Sequence, residues 1–234
     1  MKLWVGTSGY SYKEWKGSFY PVDLPDKEML STYARQLPAV EINNTFYRLP
    51  TPAVLKSWGE QVPENFRFVL KASRRITHIK RLKECEEETE YLIETAQVLG
   101  ERLGAILFQL PPFLRKDAPR LEDFLRLIPE NIKAAFEFRH ESWFEDDIYD
   151  DLKGKKCALC FADTEDNKQE ALVSTSSWGY LRLRRQDYGE KALKEWVGKI
   201  EKQQWDQAFI FFKHEGEGTG PKLAKRFLEL ANQR

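Results

Sequence analysis

A (β/α)8 barrel of the TIM-barrel kind, built as a single domain over residues 1–234, is the fold the sequence predicts. Three observations predict it. Eight short runs rich in β-branched and aromatic residues recur along the chain, helical periodicities separate most of them, and no Pro/Gly/Ser linker divides the 234 residues. A doubly wound open sheet is the weaker competitor, because no GxGxxG turn follows the first strand.

The elements follow in order. Residues 3–7 read as the first strand, followed by a loop crowded with Tyr10, Tyr12, Trp15, Phe19 and Tyr20. Met29, Leu30, Tyr33, Ala34 and Leu37 then repeat at helical spacing. Residues 39–43 and 66–71 are strands two and three. Cys85, Thr89, Leu92, Ile93, Ala96 and Leu99 form the next helical stripe, before strand four at 105–109. Leu121, Phe124, Leu125 and Ile128 lead to strand five at 134–139, and residues 158–163 form strand six. The polar stretch 164–177 has little helical periodicity, so the sixth helix is expected to be missing or reduced. Strand seven spans 180–184, followed by the stripe Leu193, Trp196, Val197 and Ile200. Strand eight spans 209–214, and the stripe Leu223, Phe227, Leu228 and Ala231 closes the chain.

Composition narrows the function classes. With 37 basic and 37 acidic residues the formal charge is zero, which excludes binding to nucleic acid or membrane through bulk charge. A chain 41% hydrophobic and 32% charged is globular in composition, and no apolar run is long enough for a transmembrane helix. Three cysteines and no signal-like N-terminus point to a reducing cytoplasm. Cys157-Ala-Leu-Cys160 has redox-like spacing, but positions three apart in a strand face opposite ways, so buried thiols are expected. The sequence carries no cofactor motif and no local metal-ligand spacing such as HxH or HExxH.

Barrels of this kind place chemistry at the C-terminal ends of their strands, and period-two alternation decides which side chains enter the barrel. That rule sends inward Glu41 and Asn43 from strand two, Lys71 from three, Gln109 from four, and Glu137 and Arg139 from five. Arg182 and Arg184 from seven and Lys213, or its neighbour His214, from eight join them, and Asp163 is placed with them from six. So many charges in a barrel are costly unless paired or wetted, and a ligand-binding mouth resolves that cost. The loop 215–222, Glu-Gly-Glu-Gly-Thr-Gly-Pro-Lys, leads into the last helix and suits either a phosphate or an ordinary helix start. It is not a P-loop, since Lys222 follows Pro221 and precedes Leu223. His78, His140 and His214 lie at or beyond strand ends. Residues 71–83 carry Lys71, Arg74, Arg75, Lys80, Arg81 and Lys83 with no acid.

Several phrases together resemble a known family. They are Gly6-Thr7-Ser8-Gly9-Tyr10-Ser11-Tyr12, Val40-Glu41-Ile42-Asn43-Asn44-Thr45-Phe46-Tyr47-Arg48, Ile76-Thr77-His78, Leu107-Phe108-Gln109-Leu110-Pro111-Pro112, Phe136-Glu137-Phe138-Arg139-His140 with Ser142-Trp143, and Tyr180-Leu181-Arg182-Leu183. They resemble the YecE-like family, domain of unknown function 72, nearly end to end. The resemblance implies a TIM-barrel-like fold and no established activity. It adds Tyr47, His78, His140 and Trp143 to the positions that carry its motifs. The chain departs where much of that family reads Arg-x-His-Gly and Phe-Asn-Asn; here stand Arg182-Leu183-Arg184-Arg185 and Phe212-Lys213-His214.

The expectation is an enzyme, with phosphoester hydrolysis as the first reaction to test. Its ligand is a small anionic or phosphate-bearing molecule. Glu41, Glu137 and His140 are the expected acid–base residues. Asn43, Tyr47, Lys71, His78, Gln109, Arg139, Trp143, Arg182, Arg184 and Lys213 are expected to bind substrate. Two alternatives stand beside it: a non-catalytic nucleic-acid or protein adaptor using the basic 71–83 loop, and a metal-dependent hydrolase or isomerase using His78, His140, Glu41 and Glu137.

Overall fold

The computed structural model describes residues 1–165, 169, 171–185, 187–214 and 216–233. Eight parallel strands close on themselves in sequence order. They are β1 (Lys2–Ser8), β2 (Ala39–Ile42), β3 (Arg67–Lys71), β4 (Leu103–Gln109), β5 (Ala134–Glu137), β6 (Ala158–Asp163), β7 (Trp178–Leu183) and β8 (Gln207–Phe212). Every predicted strand is present, within two or three residues at each end.

Among the described residues seven α-helices surround them: α1 (Met29–Ala34), α2 (Pro52–Glu60), α3 (Glu86–Gln97), α4 (Ala118–Leu125), α5 (Asp146–Gly154), α6 (Glu190–Glu201) and α7 (Thr219–Asn232). Helix starts follow local chemistry. The Asp117 carboxylate accepts from the Arg120 amide at 3.2 Å and caps α4, and three glutamates occupy the first turn of α3. No helix among the described residues joins β6 to β7, as the polar stretch predicted. A threonine takes over instead: the Thr175 hydroxyl donates to the Cys157 carbonyl at 2.7 Å and accepts from the Leu159 amide at 2.8 Å, tying the connection to the start of β6.

Alternation divides the core into two layers. Outward residues such as Phe136, Phe138, Ile210 and Phe212 pack under the helices. Inside the barrel sit Trp4, Trp178, Tyr180, Phe209 and Phe211 from β1, β7 and β8, with Ala39, Ala105, Ala135 and Ala158 on other strands. Large rings on one wall facing methyl groups on the other fill the interior, so the barrel is a packed core. Gly6 shows how tight it is: a Cβ there would lie 1.8 Å from the Ala39 carbonyl oxygen of the neighbouring strand. All three cysteines are unpaired and buried, Cys160 inside the barrel and Cys157 outside it. Among the described residues no helix is long and apolar enough to cross a membrane.

Asp163 does not enter the barrel. Cys160 faces inward, so parity turns Asp163 to the helix layer, where it accepts from the Tyr188 hydroxyl at 2.8 Å and the Trp196 indole at 3.2 Å, and pairs with Arg185 at 2.7 Å.

Candidate functional site

The aromatic layer supports a polar one above it, at the C-terminal ends of the strands. Arg182, fully buried, is its hub: Nη2 meets Glu41 Oε1 at 2.7 Å and Nη1 meets Glu137 Oε2 at 2.5 Å. One guanidinium thus ties β7 to β2 and β5. Both carboxylates are held further. Glu41 accepts from the Ser8 hydroxyl at 2.7 Å, the Tyr180 hydroxyl at 2.7 Å and the Asn43 amide at 3.2 Å. Glu137 accepts from the Gln109 amide at 2.7 Å, and Gln109 in turn accepts from the Lys71 ammonium at 2.7 Å. Asn43 turns its carbonyl oxygen toward Arg182 at 3.3 Å.

These contacts set the protonation states. Burial alone would raise both carboxyls, but Arg182 and the surrounding donors outweigh it, holding Glu41 at about 2 and Glu137 below its ordinary value. Two ionised, fully engaged carboxylates are weak bases, and their contribution at neutral pH is electrostatic. Lys71 is different. Burial, reinforced by the charge of Arg182, outweighs the attraction of Glu137 and Glu41 and brings its ammonium down to about 8. The same ammonium lies 4.3 Å above the Phe46 ring.

His78 flanks this lysine. Its ring meets the edge of Phe46 at 4.8 Å, its Nδ1 lies 2.9 Å from the Thr77 hydroxyl, and burial together with Lys71 and Arg139 lowers its pKa. Arg184, next inward on the β7 side, is largely buried, and Arg182 adds to the burial that lowers its pKa. Its Nε has no hydrogen-bond partner, and it makes no ion pair among the described residues. Arg139 and Lys213 stand exposed beyond β5 and β8.

The other sequence-predicted residues lie outside this cluster. His140 caps the short turn Glu141–Trp143, its Nδ1 2.9 Å from the Ser142 hydroxyl, and bonds to neither Glu41 nor Glu137. Trp143 is buried in the outer layer, stacked on Phe138 at 4.6 Å, its indole donating to the Leu114 carbonyl at 2.8 Å. Tyr47 is 72% exposed beside Phe46. His214 bonds to the Arg185 carbonyl, and the glycine-rich loop packs on the first loop, Gly218 against Ser18 and Phe19. Glu215 lies outside the described residues.

The basic 71–83 stretch is partly neutralised: Arg75 and Lys80 both pair with Glu88 of α3, at 2.6 and 2.8 Å. No group of three or more His, Cys, Asp or Glu side chains is placed to hold a metal ion among the described residues. His78, His140, Glu41 and Glu137 are therefore not gathered into one ligand set.

Alternation did not reveal a groove of about 640 Å³ that opens beside the mouth, lined by Tyr10, Tyr12, Asn43, Arg48 and Trp58 among others. The aromatic first loop and the Asn43–Arg48 phrase were its sequence signals.

Proteins of Escherichia coli K12 and Bacillus subtilis, UPF0759 proteins YecE and YunF, are 34% identical over 116 residues and 25% identical over 156 residues. Those matches cover 49% and 63% of this chain but only 43% and 54% of YecE and YunF, so the chain spans about half the length of these relatives. In three dimensions, a DUF72 family protein from Thermotoga maritima superposes with a TM-score of 0.85 at 24% identity, over 99% of this chain and 100% of that one. One from Enterococcus faecalis superposes at 0.79, with 19% identity over 98% and 95% of the two chains. These likenesses confirm the barrel. The family described as Protein of unknown function DUF72 matches residues 4–234, and the chain belongs to that family.

Proposed function

We propose that the chain is an enzyme that binds a small anionic, phosphate-bearing substrate at the C-terminal mouth of its barrel. Arg184 carries the reading: a largely buried guanidinium with an unpartnered Nε, beside a second guanidinium whose charge Glu41 and Glu137 already answer. A largely buried cation with no ion-pair partner among the described residues is destabilising, and a bound anion relieves it. Lys71 from within, with Arg139 and Lys213 from the rim, extend the same positive field. The neighbouring groove offers aromatic and amide side chains to the organic part of the ligand.

Proton transfer falls to Lys71, brought down to about 8, and to His78, which burial, with Lys71 and Arg139, favours as the neutral ring, rather than to the two held carboxylates. The absence of an unengaged carboxylate base among these residues weighs against phosphoester hydrolysis through Glu41 or Glu137. Unpaired, buried cysteines suit a reducing, cytoplasmic setting.

Titration calorimetry with inorganic phosphate and with a sugar phosphate tests the reading. Arg184→Ala is expected to weaken binding at least tenfold, the equivalent of one charge-assisted hydrogen bond of about 1.5–3 kcal/mol. Arg74→Ala, in the 71–83 loop, is expected to leave it unchanged. Equal affinities for wild type and Arg184→Ala, or no binding at millimolar phosphate, overturn the assignment.

A further inference from the structure

Lys71 ends β3 with its backbone fixed, since the Thr45 hydroxyl donates to its carbonyl at 2.7 Å. Its ammonium has no carboxylate partner among the described residues. It rests on a neutral amide oxygen of Gln109 and on the face of Phe46. Glu41 on β2 and Glu137 on β5 face it but are claimed by Arg182, while Arg182 on β7, Arg184 just past it and His78 beyond β3 complete its charged and titratable surroundings. An ammonium is a strongly hydrated point charge, and this setting gives it little hydration and two cationic neighbours. The neutral amine suffers neither penalty and keeps its lone pair available.

We propose that Lys71 is the nucleophile of the site and forms an iminium with an aldehyde or ketone that carries a phosphate group. This deepens the anion-binding reading and rests on it, since Arg184 would hold the phosphate while the carbonyl meets Nζ. At pH 7 a lysine brought to about 8 presents about 300-fold more free amine than one at the ordinary 10.5. The lone pair of Nζ attacks the carbonyl carbon, and the C=O π pair moves to oxygen, which takes a proton from solvent water. The resulting carbinolamine loses that oxygen as water, leaving a protonated C=N bond to Nζ. Hydrolysis reverses every step. His78, kept neutral beside the amine, accepts the proton that nitrogen sheds and returns it to the departing oxygen.

The test traps the iminium. Wild-type protein is incubated at pH 7 with glycolaldehyde phosphate and sodium cyanoborohydride, whose hydride reduces C=N to a stable secondary amine, and adducts are located by peptide mass mapping. Lys71 is expected to be modified at least about tenfold faster than any other lysine. Excess inorganic phosphate should slow its labelling by a similar factor, and uncharged glycolaldehyde should label it about tenfold more slowly. Lys71→Arg is expected to lose the adduct.

Labelling spread over exposed lysines, with Lys71 no faster, overturns the proposal without need of any variant. Equal rates for the charged and uncharged probes overturn the phosphate-bearing substrate class. If phosphate binds and Arg184→Ala weakens it while Lys71 stays unlabelled, the iminium falls and the anion site stands. If phosphate fails to bind at all, the anion site itself falls.

Discussion

Replacing Arg182 with methionine tests the polar layer most directly. The substitution keeps much of the side-chain length and deletes a fully buried cation that two fully buried carboxylates share. Removing one partner of a buried ion pair costs about 3–5 kcal/mol, because the remaining charge is left uncompensated. At a urea dependence of about 2 kcal/mol per molar, the unfolding midpoint should fall by about 1.5–2.5 M at pH 7.

The loss should also depend on pH. In the wild type Glu41 titrates at about 2, below its ordinary 4.5, so its contribution to stability is present above 4.5 and disappears as pH falls towards 2. Without Arg182 burial dominates, and both carboxyls bind protons more readily than in the unfolded chain. The variant's deficit should therefore shrink as pH is lowered from 7 to 4. Arg182→Met combined with Glu41→Gln and Glu137→Gln should recover most of the loss, since the glutamine oxygen can accept from one of the Ser8 and Tyr180 hydroxyls and its NH2 can donate to the other, without a charge. Urea melts followed by circular dichroism at several pH values read all of this. A midpoint within 0.5 M of wild type (about 1 kcal/mol at this slope), or a deficit that does not change with pH, would refute the picture of a carboxylate pair held by one guanidinium.

Trp143→Ala removes a buried indole stacked on Phe138 and should cost about 3–5 kcal/mol in a urea melt, while phosphate affinity stays at the wild-type level. Gly6→Ala drives a methyl group into the backbone of β2, so the variant should give no soluble folded barrel; a native circular dichroism spectrum and melting curve would contradict the close pairing of β1 and β2. Lys71 has a folded pKa of about 8 against 10.5, so the unfolded chain holds more protons between those values. Wild type should accordingly gain stability relative to Lys71→Met as pH rises from 8 to 10.5, and a parallel pH dependence of the two would show that the ammonium is not disfavoured.

Much of the barrel was legible because its strands have two kinds of face. In β8, Phe209 and Phe211 enter the barrel while Ile210 and Phe212 meet the helices, and the next inward position in that parity is Lys213. The same counting applied to β6 puts Cys160 inside and Asp163 outside, because three steps along a strand reverse the face. Helices α2 and α5 escaped periodicity because each buries only two residues, Leu55 with Gly59 and Ile148 with Leu152. Strand ends told which charges gather at the mouth. They could not tell that one arginine holds both glutamates, because that depends on distances across the barrel. Trp143 shows a further limit: a residue in a recognisable phrase near a strand end serves packing as readily as binding.

The guanidinium bridge has a consequence for the folding pathway. Arg182 lies 141 residues from Glu41 and 45 from Glu137, and Tyr180 lies 139 from Glu41. Contacts of such sequence separation form only when distant strands are brought together, after most loop-closure entropy has been lost. A bridge absent from the transition state acts on the rate of unfolding rather than the rate of folding. Arg182 then works as a latch that engages on closure and slows escape from the native state. The polar layer at the mouth comes into being at the same moment, so neither half of the barrel carries it alone.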